Sequence, residues 1–196
     1  MQDPTITFPA YFIKNVKTKR DKRDFIAEVG MSWLQIQHMR GARGGIMVDI
    51  DDTLINTQEN VLQGFESMLK MYQKAFRKFP IHIVTARPDD THEIVLDLLN
   101  RRGYSVGVGS LHMLPSHQYY HENREQYVIK FKWETYKKIG QMYGGVVARF
   151  GDKSWDVFHV NALTGTLQHV KDTDTYVCLD PTLQGTASFK LPASED

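Results

Sequence analysis

The chain has 196 residues, 41% hydrophobic and 24% charged, the balance of a globular protein with a sizeable core. Lys plus Arg number 24 against 23 Asp plus Glu, so no net charge draws the whole molecule to nucleic acid or to an anionic membrane. The single cysteine, Cys178, excludes an intramolecular disulfide and a cysteine-built metal centre.

The N-terminus has no basic-then-apolar signal pattern and no apolar run reaches the length of a membrane span, which predicts a soluble, cytoplasmic protein. The first dozen residues show no periodicity and are expected to be irregular. A basic run over 14–23 contains Asp21 and is followed by Asp24, so it reads as a solvated stretch leading into a helix. From Asp24, Ile26, Val29, Trp33 and Ile36 recur at helical spacing up to the glycines at 41–45, and this helix is expected to pack on the core as an extra layer. Ile46-Met47-Val48-Asp49-Ile50 then reads as a buried parallel strand with acids at its end. Val61, Phe65, Met68, Leu69, Tyr72 and Phe76 mark a long helix, and Ile81-His82-Ile83-Val84 a second strand. Thr91 is a candidate N-cap for a helix carrying Ile94, Val95, Leu98 and Leu99, stopped at Gly103. A third strand is expected within 106–114. A polar and aromatic stretch without a firm period fills 115–127, a helix runs over about 131–143, and Val146 to Phe150 form a fourth strand leading into Gly151-Asp152. Tyr176 to Leu179 suit a fifth strand, with Cys178 a small buried hydrophobe on it. Strands alternating with helices predict an α/β fold, a doubly wound, Rossmann-like, mostly parallel sheet. The expected division is one domain, with an N-terminal helical extension over 1–45, a catalytic core over 46–180 and a tail over 181–196.

Polar clusters follow three of these strands: Asp49-Ile50-Asp51-Asp52-Thr53, Thr85-Ala86-Arg87 and Gly151-Asp152. Ligands of open α/β sheets bind at the strands' C-terminal ends, where parallel strands would bring all three together. Acids directly after a strand could also be a helix cap or a generic divalent-ion site. Alternation puts Asp49 and Asp51 on one side of an extended backbone, so that one carboxylate can attack while the other handles protons. A hard cation favouring oxygen ligands suits such a cluster, and it removes the repulsion between an anionic nucleophile and an anionic substrate. Thr85 can offer a hydroxyl and an N–H to a phosphate oxygen. Asp152 would add an acidic ligand. Asp156 could hold metal-bound water, or could simply complement a helix dipole.

These segments resemble the haloacid dehalogenase-like superfamily. Its first motif, Asp-x-Asp-x-Thr after an apolar strand, is matched by Asp49 to Thr53. Its second, a strand ending in Thr or Ser, is matched by Ile81 to Thr85. The Gly-Asp-x-x-x-Asp of its acid-phosphatase-like branches is matched by Gly151 to Asp156. The matches run in order over 46–156. The resemblance implies a phosphatase in which Asp49 forms an aspartyl-phosphate and Asp51 protonates the leaving oxygen and then activates water. It also implies a magnesium ion on Asp49, Asp152 and the Asp51 carbonyl, supported by Asp156. The family's lysine, which begins the helix before the fourth strand, maps onto Lys132 by the spacing of the class III acid-phosphatase branch, with Lys130 as the alternative.

Neither 53–81 nor 107–128 has room for a full cap, so an open site is expected. It would admit a nucleotide, a nucleic-acid end, a small metabolite or a phosphoprotein, and a partner subunit could supply the missing cap. His112, His117, Tyr119, Tyr120, His121, Asn123 and Arg124 either line the entrance or form an ordinary polar loop. Arg87 could bind substrate or a neighbouring acid, or be structural. The alternatives to a hydrolase are a non-catalytic phosphate- or metal-binding protein on the same fold, and a phosphotransferase.

Overall fold

A computed structural model describes residues 10–12, 18–58, 61–157, 175–180 and 186–192. Strand β1 (Ala10–Phe12) is followed by helix α1 (Lys19–Met39) and strand β2 (Gly45–Val48). Helix α2 (Glu66–Ala75), strand β3 (Ile81–Pro88), helix α3 (His92–Arg101) and strand β4 (Leu111–Leu114) come next. After the short α4 (Ser116–Tyr119) come the long α5 (Arg124–Tyr143), β5 (Val146–Gly151), a single turn α6 (Ser154–Val157), β6 (Tyr176–Asp180) and β7 (Thr186–Lys190).

The described strands form one sheet in the order β1-β6-β7-β5-β2-β3-β4. Five of them, β4-β3-β2-β5-β7, are mutually parallel, which is the doubly wound α/β arrangement expected from the alternation of strands and helices. The chain steps outward from β2 to β3 and β4, then returns to the other side of β2 as β5. This reversal places the topological switch point between β2 and β5, whose C-terminal ends carry Asp49 and Asp152. Residues of α1, α2 and α3 share one core cluster, while α5 supplies Ile139 to a separate cluster with Met47, Val84 and Val146. Helix α1 lies close against β5: the Trp33 indole N–H donates to the Val147 carbonyl at 2.9 Å, and a Cβ at Gly30 would stand 2.6 Å from the Phe150 ring. The extra layer expected of this helix is therefore built on one hydrogen bond and one close backbone approach.

Several boundaries differ from the sequence expectation. The first dozen residues contain β1, which pairs antiparallel with β6, so that stretch is not wholly irregular. The segment 176–180 is a strand, but an antiparallel one; the fifth parallel strand is β7, inside the region expected to be a tail. Strand β7 hides its burial because two polar side chains, those of Ser188 and Lys190, are satisfied internally. Ser188 Oγ accepts from Arg149 at 2.9 Å, and the fully buried Lys190 donates to the Leu191 carbonyl at 3.3 Å. The side chain of Cys178 lies outside the described residues. Thr91 occupies the N-cap position of α3 as expected, but its side chain makes no capping bond; its hydroxyl donates to the Pro88 carbonyl at 2.7 Å. Helix α2 starts at Glu66, beyond Val61, and α5 starts at Arg124, ahead of the expected 131; its first turn is solvent-exposed and carries no apolar period, so the sequence pattern does not reveal it.

Candidate active site

The first acidic cluster leaves β2 through a tight turn. The backbone N–H of Asp49 still bonds Phe150 O of β5 at 2.9 Å, so the sheet ladder holds Asp49 beside the start of the Gly151-Asp152 segment. Beyond it the N–H groups of Thr53 and Leu54 both return to Ile50 O, and Asp52 adopts φ +52, a left-handed conformation that aspartate tolerates better than most residues. Thr57 N–H donates to Asp52 Oδ1 at 3.2 Å, and the buried Tyr104 hydroxyl donates to Leu54 O at 2.7 Å, fastening the turn to the core. Asp51 thereby points to the mouth of the site with its side chain 29% exposed, whereas Asp49 is buried.

Three buried carboxylates, Asp49, Asp152 and Asp156, offer oxygens that all lie within 4.8 Å of one another. The buried Lys132 ammonium donates to Asp49 Oδ1 at 2.6 Å and also to Asp156 Oδ1, while Lys153 N–H holds Asp156 Oδ2 at 3.1 Å. Lys132 sits well inside α5 rather than at its start. Helical side chains lean toward the helix N-terminus, which here is the strands' C-terminal edge, and that lean lets the ammonium reach Asp49. Lys130 is exposed, so of the two candidate lysines only Lys132 enters the cluster. Gly151 makes room for Asp156, whose Oδ2 would stand 2.7 Å from any Cβ added there. The glycine of Gly-Asp-x-x-x-Asp thus has a steric reason.

The electrostatics are unbalanced. One ammonium faces three buried carboxylates; Lys153 lies 3.8 Å from Asp152 but is 38% exposed and therefore well screened. Burial pushes the Asp49 carboxyl well above its usual range, with Asp156 and Asp51 adding to the rise and Lys132 opposing it. Burial and the neighbouring Asp156 raise Asp152 to about 7. Lys132 stays protonated: burial works against its charge, but Asp156 and Asp49 outweigh that and hold its pKa above the usual lysine value. An all-oxygen donor set with excess negative charge could hold a hard divalent cation.

Thr85 is fully buried at the end of β3. The register pairs Val48 with Ile83, which sets Thr85 level with Ile50 and next to the first cluster. Its Oγ1 accepts the Arg87 backbone N–H at 3.2 Å. Arg87, only one of several options in the sequence, grips Asp51: its Nη2 donates to Oδ1 at 2.6 Å, and its Nε lies 3.2 Å from both carboxylate oxygens. Of the polar residues on 107–128, His112 does not line the entrance. It is half-buried on β4 and faces β3, with its Nε2 2.9 Å from His82 Nδ1, and burial together with His82 lowers its pKa to about 4. Tyr119 lies under the Arg124 guanidinium at 4.0 Å.

Over 90% of its length the chain superposes on a class C acid phosphatase from Bacillus anthracis, with a TM-score of 0.61 and 13% sequence identity, covering 79% of that chain. The chain has the fold of a class C acid phosphatase. This acid-phosphatase-like fold is the one that the resemblance to haloacid dehalogenase-like phosphatases implied. No protein-family model matches the sequence, and no curated protein matches it either. No described helix is long and apolar enough to cross a membrane.

Proposed function

We propose that the protein is a magnesium-dependent phosphomonoesterase in which Asp49 attacks phosphorus and Asp51 moves the protons. The observation that carries this reading is the convergence of Asp49, Asp152, Asp156 and Lys132 at the switch point of an acid-phosphatase-like sheet. Asp49 is the buried carboxylate touching a fixed ammonium, and Asp51 is the half-exposed one at the mouth. That division suits one group for attack and the other for exchange with a leaving oxygen and with water.

Asp49 and Asp152, with the Asp51 carbonyl and support from Asp156, would hold magnesium. Bound there, the cation would neutralise the excess carboxylate charge and the incoming phosphate. In the first half-reaction an Asp49 oxygen bonds to phosphorus as the phosphoester P–O bond breaks. The electron pair passes to the leaving oxygen, which takes a proton from Asp51. In the second, Asp51 takes a proton from water as that water attacks the aspartyl-phosphate and frees Asp49. Lys132 holds Asp49 in its attacking position and screens it from Asp156. Thr85, whose hydroxyl already accepts an N–H, is left to donate its own proton to a phosphate oxygen. The substrate class this supports is a phosphomonoester.

The test is phosphate release from p-nitrophenyl phosphate with magnesium and with chelator. Turnover is expected only with the metal. Asp49→Asn should lose on the order of 10⁴-fold or more in kcat while melting like the wild type. Activity in chelator, or a fully active Asp49→Asn protein, would rule the mechanism out.

A further inference from the structure

The Arg87–Asp51 pair is built in a way that surface ion pairs are not. In the β3–β4 ladder Thr85 pairs with Met113 and Pro88 with Leu114, so β3 spends three steps where β4 spends one. Ala86 and Arg87 are the residues thrown out of register, and a bulge at a strand end next to a site re-aims a side chain. The bulge is fastened on both sides. The Arg87 N–H is tied to Thr85 Oγ1 at 3.2 Å, and Pro88 O accepts from Thr91 Oγ1 at 2.7 Å. The next residue, Asp89, takes the Ser116 backbone N–H at 2.9 Å and the Ser116 hydroxyl through the same Oδ1, which pins the β3 loop to α4. At the end of this scaffold the guanidinium, 19% exposed, meets Asp51 through Nη2 and Nε. The grip is uneven. Oδ1 takes contacts at 2.6 and 3.2 Å, while among the described residues Oδ2 takes only the 3.2 Å contact from Nε.

We infer that Arg87 is the positioning residue of the proton-transfer carboxylate: anchored by the β3 bulge, it fixes Asp51 by Oδ1 and leaves Oδ2 as the oxygen that exchanges protons. The inference rests on the phosphatase reading above and deepens it. Without Arg87, Asp51 would stand beside the Asp49 cluster with no cation among the described residues holding its orientation, and its carboxylate would turn toward solvent. A forked guanidinium sets a carboxylate plane, which a lysine ammonium cannot do.

A double-mutant cycle on the full chain with magnesium tests this. p-Nitrophenyl phosphate is the substrate, because its leaving group departs without a proton and the first half-reaction stays measurable when Asp51 is altered. Arg87→Ala should lower kcat by about 10–100-fold through the second half-reaction, with KM falling alongside it, so that kcat/KM and the inhibition constant of inorganic phosphate stay nearly unchanged. Arg87→Lys should recover only part of the loss. In an Asp51→Asn background, adding Arg87→Ala should cost nothing further, in either the nitrophenolate burst or the steady state. A weaker phosphate inhibition constant at constant kcat would make Arg87 a phosphate anchor and overturn the inference. An equal loss in both backgrounds would do the same, by making Arg87 merely structural. An inactive wild type, or a fully active Asp49→Asn, would overturn the phosphatase reading and this inference with it.

Discussion

At the scale of single residues, the site is defined by charges that do not balance. Asp152 titrates near 7 in the fold against a usual aspartate value of 3.8, and burial raises Asp49 in the same direction. Between those values the folded protein therefore holds protons that the unfolded chain has released, so its stability falls as pH rises through that window. A divalent cation binds the carboxylate form and opposes the effect. Thermal melts of the chelated protein should fall in Tm from pH 5 to pH 7.5, and magnesium should restore Tm by an increment that grows with pH. A Tm rising over that range in chelator, with no response to magnesium, would show that the cluster binds no cation. Much of this site was legible in the sequence, because Asp49, Thr85 and Asp152 each follow an apolar strand and parallel strands end at one edge. The part that was not legible is pairing. The residue pattern alone does not separate two lysines at alternate positions, and only the spacing of the resemblance favours Lys132; α5 buries Lys132 and exposes Lys130. For Arg87 the sequence leaves open a substrate, a neighbouring acid or a structural role, and the bulge aims it at the neighbouring acid Asp51.

At the scale of elements, the site depends on how closely backbones approach. The one-turn α6 folds back over the end of β5 only because Gly151 has no side chain. Gly151→Ala should push Asp156 outward and loosen its hold on Lys132 and on any cation. We expect magnesium to bind about 10–100-fold more weakly, as when a supporting ligand is lost, and stability to fall by about 1–3 kcal/mol from overpacking. Isothermal titration and urea melts read both; unchanged binding would mean that Asp156 takes no part in holding the metal. Hydrophobic periodicity revealed the elements whose apolar faces are continuous, β2, β3, β5, α2 and α3. It missed β7, where Ser188 and Lys190 are buried by internal hydrogen bonds rather than by apolarity, and the solvent-facing first turns of α5. It also missed β1, too short at three residues to show an alternation.

At the scale of the whole molecule, topology explains why these residues meet. The sheet grows from β2 toward β4 and then restarts at β5, so the described segments that leave β2 and β5 lie side by side at one edge, with the β3 loop next to them. The order of the motifs along the chain carried that arrangement, and the match to a class C acid phosphatase at 13% identity shows that the fold persists where little sequence does. The central claim is that Asp49 carries the phosphoryl group. Its most direct test is to mix the protein and magnesium with p-nitrophenyl phosphate labelled at phosphorus, quench in acid within one turnover, and map the label. The account predicts an acid-stable, base-labile acyl phosphate whose reduction by borohydride converts residue 49 alone, and no label in Asp49→Asn. Phosphate release without labelled protein, or label mapped to another residue, would contradict it.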